Sequence, residues 1–160
     1  MPHSTTANGY SSQISDADRT TANWIHLFPL LAAFFNFVVA FPYLGLLASV
    51  FFYFNHKDRS EYVRQHARDS LNFQITLAII WTLYLILSFV AFASFLVRIF
   101  SGYMGDGAEM PNFPELGTVI PMIIFGIGLW VSAVVILVLG CLRSSRGQFA
   151  NYPSFTFIRA

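Results

Sequence analysis

Long apolar runs separated by short polar segments dominate the hydrophobic pattern of this chain. One run extends from Asn23 to Phe54 without a charged residue, a second from Leu71 to Val97, and a third from about Leu116 to Leu142. A helix that spans a membrane needs about 20 apolar residues, so the second and third runs each predict one transmembrane helix. Ser60 is the predicted cap of the helix that contains the second run. The pattern predicts an all-α integral membrane protein.

The first run is too long for one straight crossing. As a single helix its roughly 32 residues would extend ~48 Å, against a hydrocarbon core of ~30 Å. Pro42 and Gly45 interrupt the run, because proline removes a backbone donor and glycine permits a turn. The sequence predicts a hairpin of two short helices, over roughly residues 22–40 and 43–55.

Basic residues are unevenly distributed among the polar segments. The 55–70 segment contains Lys57, Arg59, Arg64 and Arg68, and the end of the chain contains Arg143, Arg146 and Arg159. The 101–116 loop has no basic residue and holds Asp106, Glu109 and Glu115. Since Lys and Arg favour the cytoplasmic side, this predicts four transmembrane helices in the cell inner (plasma) membrane with both termini cytoplasmic. Three crossings are the alternative.

Three regions follow from this pattern. Residues 1–20 are rich in Ser, Thr, Gly and Asp and lack a hydrophobic core, which predicts a disordered tail rather than a cleavable signal peptide. Residues 21–142 form the predicted transmembrane helical bundle. Residues 143–160 form a predicted cytoplasmic tail.

Composition excludes several classes of protein. Hydrophobic residues make up 56% of the chain and charged residues 11%, which a soluble fold of this size could not accommodate. The net charge of +1 lacks the basic stripe that nucleic-acid binding requires. Cys141 is the only cysteine, so one chain cannot form a disulfide or a cysteine-based metal cluster.

A polar seam at the start of the second apolar run is the strongest candidate site. At helical spacing Gln65, Asp69, Asn72 and Thr76 share one face, with His66 and Gln74 on an adjacent line. A functional interpretation is a groove that binds a partner or faces a solute. Hydrogen bonding between helices is the favoured interpretation, because this is the ordinary use of Asn and Gln in membrane helices.

Other candidate residues suggest weaker hypotheses. His26, beside Trp24, is expected at the membrane interface, and His56 and His66 have no recognised metal-ligand spacing. A metal site would need convergence in the fold, and the sequence predicts no metal and no cofactor. The Phe-rich apolar spans are expected to contact lipid and neighbouring helices, with the tails of a quinone or pigment as further ligands.

Two stretches resemble a known family. Residues 66–74, His-Ala-Arg-Asp-Ser-Leu-Asn-Phe-Gln, and the closing stretch 147–158 are similar to a bacterial domain-of-unknown-function family of small four-helix membrane proteins. That family is distantly similar to the Tic-twenty-like component of the chloroplast inner-envelope translocon. The resemblance covers roughly Thr20 to the C-terminus and implies a membrane role without an established activity.

The leading functional hypothesis is a non-catalytic membrane scaffold. It would be an accessory, assembly or translocation-related subunit of a larger complex, or a homo-oligomer, that associates through its Phe-rich faces. The alternative is a small oligomeric transporter or channel in which the Gln65–Thr76 seam faces a cavity. A membrane enzyme is disfavoured, because no acid, base, nucleophile or metal set converges in the sequence.

Overall fold

A computed structural model of the chain describes residues 14–39, 43–56, 58–104 and 116–158. Within these ranges the regular structure is four α-helices: α1 (Asp16–Val39), α2 (Leu44–His56), α3 (Glu61–Met104) and α4 (Leu116–Ser145). Residues 146–158 follow as a non-helical stretch, called the C-terminal segment below. The prediction of an all-helical protein is confirmed.

The predicted break in the first apolar run is present. Helix α1 ends at Val39, Tyr43 lies in a turn, and α2 begins at Leu44 and packs against α1. Pro42, which suggested the break, lies outside the described residues. The 13 residues of α2 extend only ~20 Å, less than the ~30 Å hydrocarbon core.

Helix α1 begins earlier than the sequence predicted. The Ser15 side chain caps it, because Ser15 Oγ accepts a hydrogen bond from the backbone N–H of Asp18 at 3.1 Å. Asp16 and Asp18 also place negative charge in the first turn, where the helix dipole favours it. Residues 16–20 are therefore helical rather than part of a disordered tail, and residues 1–13 lie outside the described part of the chain.

Helix α3 starts at the predicted cap and continues beyond its predicted end. Ser60 Oγ accepts from the Val63 amide at 3.5 Å, and the Ser60 carbonyl accepts from the Arg64 amide at 3.0 Å. The helix has 44 residues, about 66 Å, which is roughly twice the length needed for one crossing. It therefore includes residues 101–104 of the predicted loop, and residues 105–115 are outside the described chain.

A Schellman motif ends α4 and turns the chain back. Gly147 has a positive φ of 71°, and its amide donates to the Ser144 carbonyl at 3.0 Å. The next amide, Gln148, donates to the Arg143 carbonyl at 2.9 Å. This geometry directs the C-terminal segment onto the neighbouring helices instead of leaving it as a separate tail.

The chain divides into two compact units. The first unit comprises Met1–Ala78 and Ser132–Ala160, and the second comprises Ile79–Val131. In the first unit, one apolar cluster joins three helices through Ala22, Ile25, Phe52, Tyr62, Val63 and Ala67. A second cluster joins Ala33, Phe73 and Leu137. Alanines at these contacts allow helices to approach closely.

Two helices are long and apolar enough to cross a membrane, over Glu61–Ser101 and Val119–Ser145. Only 6% and 17% of their most apolar windows are buried within the protein, so these surfaces are not the core of a soluble fold. Helix α2 is apolar but shorter. The number of four crossings stays a prediction.

Candidate functional site

The first unit places polar side chains inside and large apolar side chains outside. Its buried polar residues are His26, Ser49, His66, Ser70, Asn72, Gln74, Thr76 and Ser144. Its exposed apolar residues include Phe34, Phe35, Leu47, Phe51 and Phe54. Soluble domains show the opposite arrangement, whereas helix bundles in lipid pair their polar groups between helices. The polar interior is therefore the candidate functional site.

Three side chains from different elements form one hydrogen-bonded chain in this interior, the Tyr152–His26–His66 chain. His26 on α1 and His66 on α3 are both 0% exposed, and Nε2 of His26 lies 2.8 Å from Nδ1 of His66. The Tyr152 hydroxyl lies 2.7 Å from the other ring nitrogen of His26, Nδ1. The chain joins α1, α3 and the C-terminal segment.

Tyr152 completes this chain as a protonated phenol. Burial raises the pKa of Tyr152 above its ordinary value, so the hydroxyl retains its proton to donate or share with His26. Nε2 of His66 is buried without a hydrogen-bond partner of normal geometry among the described residues, and the backbone of Gln148 is a polar neighbour. The C-terminal segment therefore supplies one end of the hydrogen-bonded chain, Tyr152, and contacts the other end, His66.

Asn72 of the polar seam holds the end of the C-terminal segment. Its Oδ1 accepts from the amides of Phe157, at 3.2 Å, and Ile158, at 2.9 Å. Its Nδ2 donates to the Ile158 carbonyl at 3.2 Å. One buried side-chain amide thus makes hydrogen bonds with three backbone groups at the end of the C-terminal segment.

Two further side chains hold the segment along its length. Thr76 Oγ1 accepts from the Phe155 amide at 3.1 Å, while the same hydroxyl donates to the Asn72 carbonyl of its own helix at 2.9 Å. Arg143 on α4 donates to the Ala150 carbonyl at 2.7 Å. The segment is therefore hydrogen-bonded to α3 and α4 as well as to α1.

An open groove runs between α3 and the C-terminal segment. Its volume is about 610 Å³, and it is lined by Gln65, Arg68, Asp69, Asn72, Asn151, Tyr152, Ser154, Thr156 and Ile158. The structure therefore brings Gln65, Asp69 and Asn72 to one surface, as their helical spacing predicted. Whether these residues bind a partner stays a prediction.

Gln74 lies away from the groove, against α2. Its side-chain oxygen occupies the space beside Gly45, where an added Cβ would come within 2.7 Å of it. Its Nε2 is buried and has no hydrogen-bond partner among the described residues. Gly45 is thus needed for close approach of α2 to α3, in addition to its predicted role at the helix break.

The structure buries His26 and adds a residue that sequence reasoning missed. His26 is enclosed by the protein and paired with His66 forty positions away, while its place at the membrane interface stays a prediction. Tyr152 was not selected as a site residue. The available signal was the Gly147 turn followed by Tyr152-Pro153, which is typical of a segment that reverses and packs.

The Tyr152–His26–His66 chain is linear. His26 uses one ring nitrogen for each neighbour, so the three side chains do not point to a common centre where a metal ion could bind. Among the described residues, no group of three or more His, Cys, Asp or Glu side chains is placed to hold a metal ion. What this geometry does is connect helices and position the C-terminal segment.

A family model for the magnetosome magnetite crystal formation proteins, MamF/MmsF, matches residues 17–159. The chain belongs to this family. The match includes all four helices, apart from the start of α1, and the C-terminal segment that closes the polar interior. No curated protein and no solved structure gives a significant match. Family membership and the apolar helices together make this a membrane protein of the magnetosome family.

The resemblance to Tic-twenty-like proteins is wrong, because the family that matches is the magnetosome family. The two stretches that suggested it, residues 66–74 and 147–158, pack against each other through Asn72 and the Tyr152–His26–His66 chain. Contacts of this kind are general to small membrane bundles. A translocation-related role, which depended on that resemblance, loses its basis.

Proposed function

We propose that this chain is a multi-pass, non-catalytic protein of the magnetosome membrane that serves magnetite crystal formation as an accessory or assembly component. The family match over residues 17–159 carries this proposal. The family's description names the process, magnetite crystal formation. The arrangement of polar side chains inside and apolar side chains outside supports a position within the membrane. Both termini are proposed to lie on the cytoplasmic side, as the distribution of Lys and Arg predicts.

Exposed apolar surface supports a position within lipid for both units, each considered separately. In the second unit, Phe89 is 72% exposed and Val97 is 68% exposed. In the first unit, Phe35 on α1 and Phe54 on α2 are both more than half exposed. These surfaces support membrane embedding of the α1–α2 hairpin as well as α3 and α4, and thus four membrane segments.

The use of the interior polar groups supports a non-catalytic role. Ser49 and Ser70 share a hydrogen bond at 3.0 Å between α2 and α3, and Tyr62 donates to the Ser144 carbonyl of α4 at 2.8 Å. These groups are occupied in joining helices. A reaction centre would instead need polar groups free to meet a substrate.

The groove supports a second candidate, a small oligomeric transporter. Gln65 and Asp69 face this open, polar space of about 610 Å³, as a solute-facing seam would require. Asn72, in contrast, is already engaged by Phe157 and Ile158. The seam is therefore partly a structural contact, and the accessory role is the better supported of the two.

Deletion and complementation in magnetosome-forming cells would test the proposal. Cells lacking the chain should form crystals of altered number or size, and the wild-type gene should restore them, as measured by electron microscopy. The protein should remain in the membrane pellet after alkaline carbonate extraction. Normal crystals without the chain, or extraction into the soluble fraction, would contradict the proposal.

Purification from magnetosome membranes in mild detergent separates the two candidates. The accessory role predicts that other magnetosome proteins elute with the chain at a fixed ratio. A homo-oligomer alone, together with flux of a solute in proteoliposomes, favours the transporter. Asn55→Leu is a suitable control for seam substitutions, because within the described residues Asn55 donates to the Phe51 carbonyl of its own helix and not to another element.

A further inference from the structure

Two histidines in the first unit share a hydrogen bond in a place that water does not reach. His26 and His66 are fully buried, and the ring nitrogens that face each other are 2.8 Å apart. One of these two nitrogens must lack a proton for the bond to form. The pair therefore cannot carry two charges while it is closed, and burial opposes even one.

The C-terminal segment is what covers this pair. Tyr152 bonds to His26, with ring centroids 5.3 Å apart, and Phe149 stacks on His66 at 6.0 Å. Tyr62, whose ring also contacts Phe149 at 5.7 Å, packs edge-on against His66 at 4.5 Å. Movement of the segment would remove two of the three aromatic rings that shield the histidines.

The charged groups nearby do not neutralise a proton on the pair. The hydrogen bonds made by His26 and His66 within the described chain go to each other and to Tyr152, not to a carboxylate. The other titratable groups lie near the tyrosines around the pair or on α2. Asp18 and Arg19 on α1 lie near Tyr62. Those near Tyr152 are Asp69 on α3 and Cys141 and Arg143 on α4, and His56 lies farther along α2.

We propose that the C-terminal segment is an acid-released cover of the polar seam, and that the His26–His66 pair is its sensor. When both histidines are neutral, the Tyr152–His26–His66 chain forms and the segment lies on Asn72 and Thr76. Protonation in water favours the released segment, in which the histidines are hydrated. Release then frees the hydrogen-bonding groups of Asn72 and Thr76.

Proton linkage gives the direction and the size of the pH dependence of segment attachment. A histidine in water titrates near pH 6.5. Above this pH both histidines are neutral whether the segment is attached or released, so attachment is independent of pH. Below it, the released state takes up protons that the closed pair excludes, and attachment weakens by about tenfold per histidine for each pH unit.

Hydrogen exchange of the full chain in lipid nanodiscs tests this directly. The probes are the amides of Phe155, Phe157 and Ile158, which are bonded to Thr76 and Asn72. After correction for the intrinsic effect of pH on exchange, their protection should fall at least tenfold between pH 7.5 and pH 5.5. Equal protection at both pH values would overturn the proposal.

Matched substitutions identify the sensor. His66→Gln keeps a polar side chain that does not titrate, and should reduce the response to the roughly tenfold per pH unit of one histidine. The double substitution of His26→Gln with His66→Gln should abolish the response. His56→Gln makes the same change on α2 and should leave the response intact. The His56 ring stacks on Phe52 and does not belong to the Tyr152–His26–His66 chain. Asp69→Asn should also leave it intact. A full response that survives the double substitution, or a response lost with Asp69→Asn, contradicts the assignment.

Wild-type protein provides a measurement that does not depend on folding of the variants. Nitrogen-15 spectra of the histidine side chains should show His26 and His66 neutral at pH 7.5 and charged after acidification. Their midpoint should coincide with the loss of amide protection. Midpoints that differ by more than one pH unit would show that another group releases the segment.

Discussion

The two units of this chain are both built from apolar helices and yet hold themselves together differently. Among its described residues, the first unit buries eight polar ones and connects α1, α3, α4 and the C-terminal segment through side-chain hydrogen bonds. In the second unit, the Tyr84 hydroxyl donates between helices to the Met122 carbonyl at 3.2 Å. Apolar packing, which has no direction of its own, accompanies this bond, and the ring centroids of Tyr84 and Phe125 lie 5.9 Å apart.

This difference shows which unit specifies a unique arrangement. In lipid, apolar side chains gain little by leaving the solvent, so directional bonds and close packing decide which helix faces meet. The second unit instead has an apolar cleft of about 460 Å³ beside Tyr84 and Pro121, which suits lipid chains. We therefore expect substitutions that break specific contacts to affect the first unit more than the second.

The largest effect is expected for Gly140→Ala. A Cβ at Gly140 would lie 1.7 Å from the Tyr152 hydroxyl and 2.6 Å from the ring carbon that bears it, so Tyr152 would have to leave His26. Forced repacking of this kind lowers the free energy of unfolding by about 1–3 kcal/mol. Thermal unfolding in detergent measures the loss.

Gly128→Ala is the matched control on the same helix. A Cβ at Gly128 meets nothing within 4 Å, so stability should not fall. Equal destabilisation by both substitutions would show that loss of helix flexibility, rather than the contact with Tyr152, is responsible. It would also remove the distinction between the two units.

Asn72→Leu should have the next largest effect. It removes the hydrogen bonds to the amides of Phe157 and Ile158 and to the Ile158 carbonyl. A single bond between membrane helices contributes about 0.6 kcal/mol on average, so we expect a loss of about 1–2 kcal/mol and faster exchange at residues 155–158.

Stability and binding should be measured on the same preparations of Asn72→Leu. Unchanged thermal stability together with loss of co-purifying proteins would show that Asn72 binds a partner rather than the chain's own C-terminal segment. Asn55→Leu should change neither property, because the Asn55 amide, as far as the structure describes the chain, bonds within α2.

The sequence predicted those parts of the fold that depend on neighbours along the chain. Pro42 and Gly45 indicated where α1 and α2 separate, and Ser60 indicated where α3 begins, because turns and caps are local. The common face of Gln65, Asp69 and Asn72 followed from helical periodicity.

The polar interior could not be derived in the same way. His26 and His66 are forty residues apart, and Tyr152 is 126 residues from His26, so no spacing rule connects them. The return of the C-terminal segment depends on Gly147 adopting a positive φ, which the sequence permits without requiring. Tertiary packing decides both, and it also buries His26 within the protein.

The smallest effect on the free energy of unfolding is expected when one tyrosine hydroxyl is removed from each unit, which compares the two units by the same chemical change. Tyr62→Phe and Tyr84→Phe each remove a phenol that donates to a carbonyl of α4, Ser144 in the first unit and Met122 in the second. The Tyr62 bond is 2.8 Å long and fully enclosed, whereas the Tyr84 bond is 3.2 Å long and partly open.

Tyr84→Phe should therefore lower the free energy of unfolding by about 0.6 kcal/mol or less, and Tyr62→Phe by about 1 kcal/mol. Removing the Tyr84 hydroxyl also relieves its close approach to Gly126, which offsets part of the loss. Thermal unfolding of both variants in one detergent gives the difference. If Tyr84→Phe were the more destabilising, the second unit would depend on directional bonding as much as the first, and the contrast between them would fail.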